Sequence, residues 1–326
     1  MNNQFADIVK LIKQSREQAI RLVNKTLIDL YWNIGQHVHT KIESAEWGDS
    51  VVEELARYIQ ETEPNLKGFS DKNLWRMKQF YESYKNEPKL SPLVREITWT
   101  NNLIILSRTK TTEEKAFYLN LCKQESYSKR ELERQISAGL FERTMLGNAK
   151  LSPVLRELHP NALNSFKDSY IFDFLNLPTT HSESELQQGL VQQLKKFVLE
   201  LGKDFLFVAE EYQLQVGNSD FYIDLLFYHR GLQCLVAFEL KADKFKPEYL
   251  GQLNFYLEAL DRDVKKEHEN PSIGILLCKD KDSEVVEYAL SRSLSPTMVA
   301  EYKTQLPDKQ VLQQKLHELF EQNKKD

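Results

Sequence analysis

The stretch Phe221–Phe245, FYIDLLFYHRGLQCLVAFELKADKF, decides how the chain is to be read. Two apolar runs joined by a turn at Arg230–Gly231 read as neighbouring strands of a sheet. Inside them stand Asp224, Glu239 and Lys241, and charge buried in a strand is costly unless it is paired. Side chains alternate along a strand. Phe221, Ile223, Leu225 and Phe227 are therefore expected on one face, and Asp220, Tyr222, Asp224 and Leu226 on the other. Glu239 and Lys241, two apart, leave one face together. A short turn would bring Asp224 close to Glu239, and two converging carboxylates repel unless a cation lies between them. Oxygen ligands of this kind suit a hard divalent ion, Mg²⁺ foremost, with Mn²⁺ as a substitute. Lys241 beside it would orient a water or stabilise charge developing on a phosphate.

Outward from this stretch the C-terminal half alternates helices and strands. SESELQQGLVQQLKKFVLELG reads as one helix with Leu186, Leu190, Leu194, Phe197, Val198 and Leu201 on its apolar face, ended by Gly202. Strands are expected at about 205–216, 219–229 and 232–241, a helix at about 247–261, and a strand at IGILLC. A helix from Ser283 to about Leu290, a strand at TMVAEY and a closing helix at VLQQKLHELFEQ complete the order. A run of strands with a later crossover predicts a mixed α/β sheet.

The first half reads as helices. Apolar residues recur at helical spacing from Phe5 to about Glu43, which gives one long or once-broken helix. Asp49 opens a second helix, Pro64 and Gly68 break the chain, and Ser70 caps DKNLWRMKQFYESY. TTEEKAFYLNLCKQ and SKRELERQISAGLFERTM are further amphipathic helices, the latter ending near Gly147. KLSPLVREI and KLSPVLREL echo each other as Ser-Pro helix starts, the second within a linker.

At 326 residues, 41% hydrophobic and 28% charged, the chain has the composition of a globular protein of two domains. No apolar run is long enough for a membrane span, and MNNQFADIVKLIKQSREQ lacks the apolar core of a signal peptide. Three scattered cysteines without a CxxC pair suit buried free thiols in a reducing cytoplasm. Residues 1–150 hold 23 Lys+Arg against 20 Asp+Glu, while the remainder carries the acidic excess that brings the whole to −5. Such a balance neither supports nor excludes a nucleic-acid partner, which depends on local patches.

The arrangement Asp-x(n)-Glu-x-Lys across two strands after a helix resembles the PD-(D/E)xK nuclease superfamily. Its carriers are Asp224 in YID and Glu239-Leu240-Lys241. The acid that the superfamily often adds from the preceding helix has a match in Glu183 of SESEL, with Glu185 as the alternative. Gln252 and Tyr256 in GQLNFYL match the QxxxY that follows the core in RecB-like nucleases, and at i and i+4 they share a helix face. The Pro of the superfamily name is Ile223, and Asp243 in LKADKF stands where it could pair with Lys241.

Over its whole length the chain resembles the YhcG-type bacterial family. The carriers are LYWNIGQHV, WGDSVVEELA, GFSDKNLWRMKQFY and FYLNLCKQESYSKRELERQI in the first half. In the second they are FYIDLLFYHRGLQCLVAFELK, FKPEYLGQLNFYLEALD and AEYKTQLP. The resemblance implies an all-α, winged-helix-like DNA-binding module at about 1–145 and a linker at 146–165. An α/β, restriction-endonuclease-like PD-(D/E)xK domain with a mixed sheet would then fill 166–326. It implies a metal-dependent DNA endonuclease acting in repair, mobile-element control or defence, with protein partners there, and by analogy a homodimer. Asp224 and Glu239 would hold the metal, with Glu183 and the Leu240 carbonyl assisting. Lys241 would position water, and Gln252 and Tyr256 would order Lys241 or the phosphate. In the first domain Lys67, Lys72, Arg76 and Lys78 would contact phosphates and Asn73 a base edge, as in a helix-turn-helix.

Each motif also has a plain reading. An ExK pair can be a solvated strand end, Glu183 a helix N-terminal acid, Gln252 and Tyr256 the edge of a core helix, and the basic face of 71–84 simply solvated. His37 and His39 point to different faces and read as solvated, and His229 as the rim of the site. The rival to an enzyme is a DNA- or partner-binding module whose nuclease fold no longer cuts.

Overall fold

The computed structural model describes residues 2–44, 48–147, 149–160 and 162–322. The chain divides into two compact units, residues 1–136 and 137–326.

The first unit is built of α1 (Asn2–Glu43), α2 (Asp49–Thr62), α3 (Asp71–Tyr84), α4 (Trp99–Arg108), α5 (Thr112–Glu125) and α6 (Lys129–Ser137). No strand occurs among its described residues. Gly48 is the cap of α2. Ser70, Thr98 and Thr111 cap α3, α4 and α5 by accepting the backbone N–H of the residue three further on. Helix α4 was not expected, because Asn101 and Asn102 interrupt its apolar pattern. Asn102 is buried, and its amide donates to the Val94 carbonyl at 2.8 Å, which a hydrocarbon could not do. The second half of α1 lies on α3: Ile28, Tyr31 and Val38 are buried with Met77, Phe80 and Tyr84. Gly35 permits this, since a Cβ there would stand 2.1 Å from the Met77 carbonyl oxygen.

The second unit begins with three short helices, α7 (Leu140–Leu146), α8 (Pro153–Leu158) and α9 (Ala162–Ser165), then β1 (Ser169–Ile171). There follow α10 (Glu183–Gln192), α11 (Leu194–Leu201), β2 (Phe205–Val216), β3 (Ser219–His229) and β4 (Cys234–Lys244). Helix α12 (Tyr249–Ala259), β5 (Ile273–Asp280), α13 (Ser283–Leu290), β6 (Thr297–Lys303) and α14 (Lys309–Gln322) complete it. The strands form one mixed sheet in the order β1-β6-β5-β4-β3-β2. From β1 to β4 the neighbours are parallel, while β4–β3 and β3–β2 are antiparallel. Two of the expected single helices are divided: Gly139, left-handed at φ +61°, separates α6 from α7, and Gln193 separates α10 from α11. The three-residue β1 is too short to leave a period-two signature.

Both faces of the sheet are covered. One carries Leu225, Phe227, Val236, Phe238 and Leu240 against Leu186, Leu190, Phe197 and Leu201 of α10 and α11. The other carries Leu226, Leu235, Ala237 and Leu276 against α12 and α13. Gly274 of β5 lets α12 sit down, since a Cβ there would meet Leu253 at 2.8 Å. Ile223 lies with Leu226 on this second face. Strict alternation would put it with Leu225, so the expected facing of Phe221 and Ile223 is overturned. The reason is local. Pairs on either side of it place Glu211 of β2 opposite Asp224, and Glu211 has a left-handed backbone, φ +46°, that bends the ribbon there.

Candidate active site

Strands β3 and β4 pair from His229/Cys234 to Leu225/Phe238, and there the ladder stops. The next pair would be Asp224 with Glu239. Instead the Asp224 carboxylate reaches across: its Oδ2 accepts the Leu240 N–H at 2.7 Å. The Asp224 carbonyl accepts the Gln187 amide of α10 at 3.1 Å. Strand β4 meanwhile stays paired to β5 through Leu240/Leu277 and Lys241/Cys278. The result is a fork whose tines are Asp224 and the segment Glu239–Lys241.

The Lys241 ammonium lies inside the fork, 3.0 Å from Glu239 Oε1 and 3.3 Å from Glu183 Oε2, with the Tyr249 ring centroid 5.3 Å away. Glu183 is the first residue of α10 and its side chain is half exposed. Glu185 is engaged elsewhere, accepting the Ser182 N–H at 2.7 Å as one half of a capping box. Of the two acids weighed in SESEL, it is therefore Glu183 that reaches Lys241. Asp243 is exposed and its ion-pair partner is Lys246 at 4.0 Å, so the expected pairing with Lys241 is not found.

The electrostatics follow from burial. Glu239 is 2% exposed, and burial first, then the charge of Asp224, pushes its carboxyl up to about 7 against the pull of Lys241. Asp224 is also raised, mainly by burial and further by Glu183 and Glu211, against the Leu240 N–H and Lys241. For Lys241, burial works to lower the pKa, but the carboxylates led by Glu239 outweigh it and hold the ammonium above its ordinary value. Tyr256 is raised by burial and by the charges of Glu239 and Asp224, so it senses the fork. Its hydroxyl accepts the Gln252 amide at 2.5 Å.

One atom is left over. Glu239 Oε2 is buried and has no hydrogen-bond partner among the described residues. An orphaned carboxylate oxygen next to a second carboxylate is what a hard cation satisfies. Asp224, Glu239 and Glu183 are oxygen donors only, which fits Mg²⁺ or Mn²⁺ better than a softer metal. Among the described residues no three His, Cys, Asp or Glu side chains are already gathered into a cage. Here the ammonium of Lys241 lies between Glu239 and Glu183.

Sequence reasoning missed Gln187, Tyr249 and Glu211. Tyr249 carried a signal, standing one turn before Gln252 on the same helix. The other two had none, since their positions depend on where the strands part. His229 is not at the rim: it is buried, and its Nδ1 accepts the Leu232 N–H at 3.0 Å in the turn at the opposite end of the hairpin.

In the first unit Lys67, Lys72 and Arg76 are exposed. Lys78 is ion-paired to Glu82 at 2.7 Å and lies over the Trp75 ring. The Asn73 amide donates to the Gly68 carbonyl at 2.5 Å and accepts the Trp99 indole N–H at 3.1 Å, so a base contact would have to replace bonds that hold the fold. His39, expected to be solvated, is buried between Glu82 at 2.9 Å and Lys85 at 2.8 Å.

Comparison with known proteins places these features. Residues 7–143 match the model of the DUF1016 N-terminal domain, and residues 163–317 that of the YhcG PDDEXK nuclease domain. The Escherichia coli (strain K12) protein described as "Putative nuclease YhcG" is 30% identical over 95% of this chain and 92% of its own length. Among solved structures, a repair endonuclease from Pyrococcus abyssi aligns over 39% of this chain at 16% identity and a TM-score of 0.27. An EndoMS–dsDNA complex aligns over 41% at 20% identity and a TM-score of 0.27. The chain spans about half the length of each of these two structures, 48% in both cases. A DUF1016 N-terminal domain followed by a YhcG PDDEXK nuclease domain, with a full-length relative, makes this chain a member of the YhcG family.

Proposed function

We propose that the fork between β3 and β4 hydrolyses phosphodiester bonds in DNA with Mg²⁺, Mn²⁺ substituting, as an endonuclease. The observation that carries this reading is the buried, unpartnered Oε2 of Glu239 beside Asp224 and the Lys241 ammonium. Asp224 and Glu239 would hold the ion, with Glu183 and the Leu240 carbonyl as further donors. Bound there, a divalent ion supplies Lewis acidity to a phosphate oxygen and lowers the pKa of an attacking water.

Lys241 keeps its proton at neutral pH, since its pKa is raised rather than lowered. Its role is therefore to donate: it orients the water or a non-bridging oxygen, and it opposes the charge gathering on phosphorus. It is no general base. Tyr256, also raised, stays a phenol, and with Gln252 it would order Lys241 or the scissile phosphate. The carboxylates repel a polyanion until a cation neutralises them, which makes substrate binding metal-dependent. Lys67, Lys72 and Arg76, exposed around the start of α3, would meet backbone phosphates, with Lys78 and Asn73 in reach only if their present bonds open. In this reading α2 and α3 form the helix-turn-helix of a winged-helix-like module.

The test is nicking of supercoiled plasmid with Mg²⁺ or Mn²⁺ by the purified chain and by Lys241→Ala. Metal-dependent cleavage that drops about 10²- to 10³-fold in the variant supports the reading. No cleavage of duplex, single-stranded or branched DNA with either metal would leave a binding module. One observation favours that second reading: Lys241 already neutralises Glu239 and Glu183, as a purely structural ion cluster would.

A further inference from the structure

Helix α1 is two helices in one. From Asn24, whose amide donates to the Ile97 carbonyl at 2.9 Å, its side chains pack into the first unit. Before that point residues 7–23 are exposed without exception. Phe5, Ile8, Val9, Leu11, Ile12, Ile20, Leu22 and Val23 are each between 48 and 68% exposed. An unsupported helix of this length is marginal in water, and a contiguous apolar surface of this kind marks a partner.

We propose that this segment forms an antiparallel two-helix seam with a second copy of the chain. Three features of the sequence single out that occupant. First, Phe5, Ile8, Ile12, Ser15, Ala19 and Leu22 follow one another at alternating steps of three and four, the spacing of a coiled-coil seam. All six are uncharged, and of the seven charged residues between 5 and 25 five fall on the b, c and f positions away from the seam, Arg16 and Lys25 alone lying beside it. Second, a two-fold axis between Ile12 and Ser15 sets Phe5 against Leu22, Ile8 against Ala19 and Ile12 against Ser15. In the last two layers a large side chain meets a small one, whereas a parallel register would stack Ser15 on Ser15 and Ala19 on Ala19. It would also align five basic residues with their own copies along the whole length, whereas the antiparallel one brings Asp7 to the level of Arg21. Third, seven of the eight apolar side chains, all but Ile20, fall on or beside this seam along roughly 27 Å of helix.

The proposal is tested on the full chain by sedimentation equilibrium at micromolar concentration. Twice the 38.3 kDa chain mass is expected for the wild type, and the single-chain mass for Ile8→Glu and for Ile12→Glu. Because both positions are solvent-exposed in one chain, the melting of the remaining fold should be unchanged. Orientation is read by cross-linking. Cys122, Cys234 and Cys278 are buried, so Ile8→Cys chains mixed with Ala19→Cys chains should join, and neither should join with itself. A wild-type monomer, or a dimer that survives both glutamates, overturns the seam. A monomer that sediments with phosphatidylglycerol vesicles assigns the stripe to a lipid surface and overturns it too. Self-joining of Ile8→Cys overturns the antiparallel register.

Discussion

The two ends of β4 are made of the same strand and do opposite things. From Cys234 to Phe238 it is buried, apolar and paired with β3, and from Val236 with β5 as well. From Glu239 to Lys241 it loses β3, keeps β5 and carries two charges. A carboxylate, Asp224, takes over one of the N–H groups that β3 has left, and α10 supplies an amide and an acid to the same gap. The difference teaches that a cluster of charged side chains needs no special scaffold. It needs a sheet that stops pairing one residue early, so that side chains replace a ladder.

The contrast can be broken at either end. At the paired end, Phe238→Ala should cost about 3–5 kcal/mol of stability through loss of packing with Phe197, Phe205 and Phe227. Cleavage should fall only as far as the folded fraction does, measured by urea unfolding beside an activity assay. At the open end, Lys241→Ala takes the cation from a buried ion pair and should cost up to about 3 kcal/mol of stability, yet lower cleavage per folded molecule by about 10²- to 10³-fold. If both variants lost activity through unfolding, the two ends would not be functionally distinct.

Protonation sharpens the contrast further. The folded pKa of Glu239 lies at about 7, above its ordinary 4.5, so the folded state holds a proton that the unfolded chain has released. The stability this confers is present below pH 4.5 and is lost as pH rises through about 7, a change of up to about 3 kcal/mol. Metal-free protein should therefore melt lower at pH 8 than at pH 6, and Glu239→Gln should flatten that slope. The same proton competes with a cation, so Mn²⁺ affinity by calorimetry should rise over that interval in the wild type. Asp224→Ala strands the Leu240 N–H and should cost about 1–3 kcal/mol, whereas Asp224→Asn keeps an acceptor and should cost less, while both should lose metal affinity. Gln187→Ala is the mildest, about 1 kcal/mol, read as a small drop in the melting temperature.

Much of the second unit was legible. The apolar runs and the helical spacing gave β2, β3, β5 and α13 within a residue or two. The spacing of Asp224, Glu239 and Lys241 was enough to bring them to one place. Less legible were α4, hidden by two asparagines that pack inward, and the breaks at Gly139 and Gln193, where helical periodicity continues across an interruption. In the first unit the chemistry of Asn73 and His39 could not be read, because a polar residue on a helix looks the same whether it faces water or a neighbour.

The sequence by itself determined which groups are present: three carboxylates and an amine at strand and helix ends, an apolar sheet to carry them, and apolar residues at helical spacing along α1. Only the tertiary structure decided how they are used. It chose Glu183 over Glu185, since the capping box claims the latter. It turned Ile223 to the other face of the sheet, because Glu211 bends the ribbon. It left Glu239 Oε2 without a partner among the described residues, because β3 parts from β4 at Asp224. Local propensity acts over a few residues, whereas hydrogen-bond competition and desolvation are settled only when distant segments meet.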